Sequence, residues 1–311
     1  MNKQSKKVSC IDIGSNAIKY RQYRLLPNNH LELDTFKRIS LRLGSEAFSS
    51  GKMTDETYLD FLTVLKKLKK HAKKKNADLQ GIFATSAMRT FSNKEEIIKK
   101  VKKELNLEIE ILSGNEEASL LKFFNYKEFI DSESLLVDVG GGSTELYLCD
   151  KNEEKLKSFN LGAVRILKGL DKEKNWQELS DFLANINSRQ VQNIIGIGGN
   201  ARQIIQAAGV LKDSLNLEEL QEIRSRLGKL SLEEKVSDYN FPSDRADIIE
   251  HAANIFEFIL LCFENAKFFA SNWNISDGYI FKKNTEISQA TSLEAVSYTH
   301  LRAHETDYYR V

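Results

Sequence analysis

The sequence predicts an α/β fold built as two similar halves that face each other across a cleft, and three observations predict it. A strand–aspartate–glycine-loop–strand unit occurs twice. Strand-like apolar runs alternate along the chain with amphipathic helical stretches. Its 311 residues are enough for two domains with ample cores.

The fuller copy of the unit is Leu135-Leu136-Val137-Asp138-Val139-Gly140-Gly141-Gly142-Ser143-Thr144-Glu145-Leu146-Tyr147-Leu148. An apolar run ending in a carboxylate, a glycine loop and an alternating run read as strand, tight loop and strand. The backbone N–H groups of Gly140, Gly141, Gly142 and Ser143 can close around phosphate oxygens that any Cβ would keep away. Asp138 and Glu145 flank that concavity, where a divalent cation bridging carboxylates and phosphate oxygens would be at home. By itself such a loop also reads as a plain glycine hairpin with solvated acids, because short glycine motifs have many false positives. The second copy, Val8-Ser9-Cys10-Ile11-Asp12-Ile13-Gly14-Ser15-Asn16, runs into a strand-like stretch at 17–26. Two such loops facing each other would grip a polyanion from both sides.

Composition excludes some functions. Lys and Arg total 45 against 44 Asp and Glu, a formal net charge of +1, so no global field points to nucleic acid or a membrane surface. The cysteines, Cys10, Cys149 and Cys262, are widely spaced in apolar segments, which suits buried thiols in a reducing compartment. No histidine has zinc-like spacing with them, and His251 reads as a core residue. Asp12 interrupts the first apolar run before a signal-peptide core could form, and no stretch approaches ~20 apolar residues. The expectation is a soluble, cytoplasmic protein.

Taken in order, Asn28-Asn29 marks a turn and 31–43 reads as further strand. A helix follows with Thr54 as N-cap, Asp55 and Glu56 in its first turn, and Tyr58, Phe61, Leu62, Leu65, Leu68 and Ala72 on its apolar face. Its outer face carries Lys66, Lys67, Lys69, Lys70, Lys73, Lys74 and Lys75. That face is either solvated or a landing strip for a long anionic chain. The run 82–89 reads as a buried strand delivering Thr85, Ser86 and Arg89 into a loop, with a Ser92/Glu95 capping box opening the next helix. Arg89 there can fork onto phosphate oxygens or make a surface salt bridge. Ser113-Gly114-Asn115-Glu116 is a second capping box, in which Glu116 reaches back to the Ser113 N–H. Glu117, its neighbour, is left free to orient a water for attack on phosphorus.

Beyond the central hairpin, 151–157 reads as a charged turn, and Leu161-Gly162-Ala163-Val164-Arg165 as the end of a short strand with a further phosphate contact at Arg165. Ile194 to Asn200 is a third apolar-then-glycine unit, whose Gly198 and Gly199 would form another wall of the cleft before the helix 201–208. Helical stretches at 217–229 and 245–263 and a strand-and-turn at 274–279 complete the pattern. Residues near the end, 296–311, break the periodicity and resemble a read-through tail.

These motifs, in this order, resemble the exopolyphosphatase / guanosine-pentaphosphate phosphohydrolase (Ppx/GppA) family of the actin–sugar kinase–Hsp70 superfamily. The resemblance is carried by Ile11 to Asn16, Arg42-Leu43-Gly44, Ala84 to Arg89 with Asn93, Ser113 to Ala118, Val137 to Glu145, Leu161 to Arg165, Gly196 to Gly199, Arg245-Ala246-Asp247 and Ser276-Asp277-Gly278. It implies two ribonuclease-H-like (actin-like ATPase) domains of mixed sheets flanked by helices, at 1–125 and 126–290, with the active site in the inter-domain cleft; the broken periodicity leaves 291–311 as a non-native or disordered tail. It also implies hydrolysis of a terminal phosphoanhydride with Mg²⁺ or another divalent cation. Glu117 would activate water and Arg89 clamp the terminal phosphate; Asp12, Asp138 and Glu145 would serve the metal. Gly14, Ser15, Asn16 and Gly140 to Ser143 would cradle phosphates. The implied substrate is inorganic polyphosphate or guanosine pentaphosphate; the partners expected beside it include no nucleic acid and no membrane, with a homodimer as the candidate assembly. Two departures stand out: Ala17 replaces a frequent hydroxyl residue, and Asn200-Ala201-Arg202 replaces a Thr-containing run. A non-catalytic phosphate or nucleotide sensor, or a sugar kinase, on the same fold is the competing class.

Overall fold

The computed structural model describes residues 6–26, 30–124, 133–149, 154–186, 191–209 and 212–287, so the expected Asn28-Asn29 turn and the tail at 291–311 lie outside the described residues. The first half opens with an antiparallel meander of β1 (Lys6–Ile13), β2 (Ala17–Leu25) and β3 (Leu31–Ser40). It continues through α1 (Leu43–Ser49), α2 (Asp55–Lys74), β4 (Asp78–Ala84), α3 (Ser86–Thr90), α4 (Lys94–Leu105) and β5 (Glu110–Ile111). The sheet order is β3-β2-β1-β4-β5, with β4 parallel to both β1 and β5. A short α5 (Gly114–Ser119) and a 3₁₀ turn at Leu120–Phe123 end this half.

The second half repeats the plan. Its meander is β6 (Glu133–Val139), β7 (Thr144–Cys149) and β8 (Glu154–Phe159), followed by α6 (Ala163–Leu167), α7 (Glu173–Ala184), β9 (Val191–Ile197) and α8 (Gly198–Ala208). Then come β10 (Ser214–Leu215), α9 (Leu217–Lys229), α10 (Leu232–Tyr239), α11 (Ser243–Ala246), α12 (Ile249–Leu260), β11 (Lys267–Ala270) and α13 (Ile275–Ile287). The order β8-β7-β6-β9-β11, with β10 added at the edge, matches the first sheet strand for strand and sense for sense. The two mixed sheets flanked by helices are the fold class the sequence predicts.

Local chemistry explains the elements. Thr54 Oγ1 accepts from Thr57 N at 3.3 Å and starts α2, which buries Tyr58, Phe61, Val64, Leu65, Leu68 and Ala72 against the first sheet. A separate core fills the second half between its sheet and α8, α9 and α12. A third apolar cluster, including Cys10, Phe83, Leu136, Ile195, Trp273 and Tyr279, joins the two sheets beneath the cleft. There α13 returns to the first sheet: buried Asp277 accepts from Arg21 Nη1 at 2.8 Å and from the Tyr23 hydroxyl at 2.6 Å. Breaking such a buried pair from one side strands a charge, so this contact fixes how the halves meet at their base. Among the described residues, no helix is long and apolar enough to cross a membrane.

Several local expectations are corrected. The strand expected at 31–43 ends at Ser40, and Leu43 and Gly44 open α1, because Gly44 N donates to Ser15 O at 2.7 Å and turns the chain off the sheet edge. Arg89 sits in the short helix α3 rather than in a loop. Ser92 and Glu95 make no capping box: Asn93 is the N-cap of α4, and its side chain is occupied by the Met53 backbone, at 3.1 Å from N and 2.9 Å from O. The stretch 161–165 is not strand, since β8 ends at Phe159 and Ala163 starts α6. The described part of the turn expected at 151–157 is strand from Glu154 onward. The 245–263 helix is broken into α11 and α12, and 274–279 is the start of α13, with Asp277 Oδ2 accepting from Asn274 N at 2.7 Å.

Candidate active site

The site lies where the two meanders turn. In the first, Gly14 N donates to Ala17 O at 3.2 Å, closing the loop between β1 and β2 and setting Asp12 opposite Lys19. In the second, Gly140 N donates to Ser143 O at 2.9 Å and sets Asp138 opposite Glu145. The loops touch. A Cβ on Gly142 would come within 2.2 Å of Phe48, 2.6 Å of Ser86 Oγ and 2.9 Å of Ser15 Oγ, so only glycine lets the loops approach this closely. The bare face expected to receive phosphate is, at Gly142, filled by protein. Gly198, at φ +84°, starts α8 with Asp138 Oδ1 only 3.0 Å from where its Cβ would be.

A narrow cavity of about 90 Å³ lies between these loops. Asp12, Gly14, Ser15, Asn16, Glu117, Asp138, Gly140, Gly141, Gly142, Ser143, Glu145, Gly198 and Gly199 all line it, so most of the sequence-predicted site residues share one space. The Ser113 capping box forms as expected. Ser113 Oγ accepts from Glu116 N at 3.2 Å, and Glu116 Oε2 accepts from Ser113 N at 2.7 Å. Glu116 is thereby exposed and held low in pKa by the Ser113 backbone N–H. Glu117, one residue on, is buried and faces the cavity.

Electrostatics separates the carboxylates. Burial pushes Glu117 up to about 7, against the Arg89 guanidinium, with Asp138 and Asp12 adding to the rise. Burial likewise raises Asp138 to about 6, opposed by Lys19 and reinforced by Asp12. Glu145 is raised well above the usual carboxylate range by burial and by Glu117 and Asp138, despite hydrogen bonds from Ser143 and Ser158. Asp12 is held by Lys19 Nζ at 2.8 Å on Oδ2, while its buried Oδ1 has no partner. Acids raised into the neutral range and crowded into one cleft are a functional-site signature.

Two predicted arginines do not line this cavity. Arg89 stands at its end: Nη1 donates to Glu117 Oε2 at 2.7 Å and to Leu112 O at 2.8 Å, and Nη2 reaches Ser143 Oγ at 3.4 Å. Arg165, expected as a phosphate contact, instead donates from Nε to Gly142 O at 2.7 Å and lies over the Phe48 ring at 3.9 Å. It braces the glycine loop from behind because α6 begins at Ala163 and turns the side chain away.

Sequence reasoning missed Lys19, Arg38 and Asn200 as lining residues. Lys19 had a signal, since it stands seven residues after Asp12 as Glu145 stands seven after Asp138. It also missed a strap across the cleft. Arg38 forks onto Asp244 at 2.9 and 2.6 Å, Arg42 pairs with Asp247, and Asn16 Nδ2 donates to Asp244 O at 2.7 Å. The quoted motifs Arg42-Leu43-Gly44 and Arg245-Ala246-Asp247 meet here.

Among the described residues, no three His, Cys, Asp or Glu side chains form a ready metal cage, so Asp12, Asp138 and Glu145 do not converge as a ligand trio. Asp12 and Asp138 nonetheless fit a hard cation. They are two repelling oxygen donors, one with an orphaned buried oxygen, and Mg²⁺ takes few protein ligands and completes its shell with water and phosphate oxygens. Glu145 is committed to Ser158 Oγ at 2.8 Å.

Comparison with known proteins then adds family. The sequence profile of the Ppx/GppA phosphatase family matches residues 29–286. The chain is 34% identical over 170 residues to a bifunctional 3-dehydroquinate synthase/phosphatase of Fusobacterium nucleatum, covering 50% of this chain but only 25% of that protein. It is 23% identical to Exopolyphosphatase 1 of Mycobacterium leprae over 97% of this chain and 96% of that one. The crystal structure of an exopolyphosphatase from Cytophaga hutchinsonii superposes with a TM-score of 0.77 at 21% identity, covering 92% of this chain and 99% of that chain, a likeness of fold.

Proposed function

We propose that this chain, which belongs to the Ppx/GppA phosphatase family, is an exopolyphosphatase that removes the terminal phosphate of inorganic polyphosphate as orthophosphate. The observation that carries the reading is Glu117, a buried carboxylate raised to about 7, facing the cavity and tethered by Arg89 beside the Ser143 loop. Near neutral pH such a group is partly ionised and basic enough to take a proton from water.

The terminal phosphate enters between the Ser15 and Ser143 loops and draws the Arg89 fork, releasing Glu117 Oε2. Glu117 accepts a proton as the water oxygen attacks phosphorus. The bond to the bridging oxygen breaks, its electron pair stays with the shortened chain, and orthophosphate forms beside Arg89. A divalent cation held by Asp12 and Asp138 would supply neutralisation of the phosphate oxygens around the breaking bond. Glu145, held by Ser158 Oγ, adds a neighbouring carboxylate that repels Glu117 and Asp138 and so favours their taking up a proton or a cation.

The choice of polyphosphate over guanosine pentaphosphate rests on the lining. Among the described residues, the cavity has no aromatic side chain on which a base could stack. Free Cys10 and Cys262 suit a reducing, cytoplasmic setting. The test is phosphate release from long polyphosphate, guanosine pentaphosphate and ATP side by side, with Mg²⁺ and with excess chelator. Polyphosphate should turn over fastest and only with the cation. Preference for pentaphosphate would move the assignment to the nucleotide, and binding without release would make the chain a sensor.

A further inference from the structure

Behind Arg89 lies a second, larger space of about 490 Å³, lined by Ser86, Arg89, Thr90, Asn115, Ser158 and Asn160 among others. Ser86 lines both cavities, and Arg89 spans from one to the other through its contacts with Glu117 and Ser143. Among the described residues no carboxylate lines this chamber, and its one charged wall is the Arg89 guanidinium. A second cation reinforces it: Arg165 lies close enough to Arg89 for the two to repel. Asn115 and Asn160 at its rim are exposed, so the chamber opens to solvent.

We propose that this chamber is the exit for orthophosphate. The inference rests on the exopolyphosphatase reading. In that reading the product forms at the Glu117–Arg89 end of a cavity of only about 90 Å³, while the shortened chain still fills the rest of it. A product enclosed between its own leaving group and the protein needs a route that does not require the chain to leave. The polar, carboxylate-free chamber behind Arg89 provides one, wide enough for a hydrated dianion, and lets the next water enter the same way. Arg89 hands the product across, because its fork faces the reacting phosphate on one side and forms the chamber wall on the other.

The test fills the rim or reverses its charge with residues that touch neither substrate nor Glu117: Asn115→Trp/Asn160→Trp, and separately Asn160→Glu. Orthophosphate binding is measured by calorimetry on each folded variant and on the unaltered chain, and single-turnover and steady-state release from long polyphosphate are compared. Both variants should bind orthophosphate about tenfold more weakly, as blocked or like-charged contact surfaces lower affinity. Steady-state turnover on long chains should fall by a similar factor while the first cleavage keeps its rate, as expected where product release limits turnover. Unchanged orthophosphate binding with unchanged steady-state turnover in both variants overturns the proposal, as does an equal loss in the first cleavage. If the unaltered chain cleaves no polyphosphate, the enzyme reading fails by itself, and the orthophosphate titration still decides whether the chamber is an anion site.

Discussion

The two meander loops share one hairpin register and differ in the charge of the residue that faces the aspartate. Asp12 and Asp138 each end a first strand, and the residue paired across the hairpin is Lys19 in one half and Glu145 in the other. In the first half the carboxylate is neutralised within 2.8 Å. In the second, half-buried Asp138 faces buried Glu145, whose pKa is raised further by Glu117. The same fold thus yields a charge-balanced loop on one side and a wall of carboxylates with raised pKa on the other. Duplication supplies the cleft; the exchange of Lys for Glu opposite the aspartate makes its charge asymmetric.

The largest test of that asymmetry is Glu117→Gln. If the reactive acid belongs to the unbalanced side, turnover should fall by ~10²–10⁴-fold with KM little changed, the scale of lost general-base help. Glu116→Gln should be nearly silent, because glutamine also closes a capping box with Ser113. A dead Glu116→Gln beside an active Glu117→Gln would transfer the chemistry to the exposed face of α5.

Much of this arrangement is legible in sequence because it depends on local rules. Three glycines after Asp138 force a tight turn, and the Ser113–Glu116 spacing alone separates a capping acid from a free one. What stays hidden depends on distant partners. Ser92 looks like the N-cap of α4 until Asn93 takes that position with its amide held by the Met53 backbone. Arg165 looks like a phosphate ligand until the helix start at Ala163 aims it at Gly142 O. Arg42 and Asp247 are separated by 205 positions, and nothing in the spacing says they strap the cleft.

The next effect is on stability. Glu117, Asp138 and Glu145 all have folded-state pKa values raised above those of the unfolded chain. The folded state therefore holds more protons than the unfolded one, and stability falls as pH rises from the ordinary carboxylate range through about 6 and about 7. For cation-free protein the loss should be on the order of 4 kcal/mol between pH 5 and 8, from the Glu117 and Asp138 shifts at 1.36 kcal/mol per unit. Urea unfolding across that range measures it, and Mg²⁺ should restore much of the loss. Glu145→Gln should flatten the curve, whereas Lys19→Gln should steepen it; a flat curve in the unaltered chain would contradict the unbalanced wall.

Cation affinity gives a smaller and more direct comparison of Lys19 with Glu145. Lys19 competes for Asp12, so Lys19→Gln should tighten Mn²⁺ binding, and Glu145→Gln should loosen it by removing a negative charge nearby. About tenfold in opposite directions is expected, a fraction of the ~4 kcal/mol that unit charges 4 Å apart exchange at an effective dielectric of 20. Calorimetric titration reads both. Changes of the same sign would mean that the two residues do not act through charge at the Asp12–Asp138 pair.

The smallest expected effect concerns a region outside both loops. The lysines of α2 read from sequence as either a solvated face or a landing strip for a long polyanion, and chain direction places them at the end of the sheet away from the loops. β4 begins at Asp78, four residues after α2 ends at Lys74, and Asp78 pairs with Val8, whereas the site begins at Asp12, which pairs with Phe83. Lys69 confirms the placement by donating to Leu105 O at the end of α4, before β5 starts. At ~3.3 Å per strand residue, the Lys73–Lys75 end of α2 is roughly 15–20 Å from the loops. That is about twice the ~8 Å over which exposed charges act at physiological salt. Changing Lys69, Lys70, Lys73 and Lys74 together to Gln should therefore leave the half-saturating concentration within about twofold for short and long polyphosphate alike, the small change expected of screened charges. A selective rise for long chains, abolished by added salt, would show that the polymer leaves the cleft along the outside of the first half, and the contrast between the two loops would no longer account for substrate binding by itself.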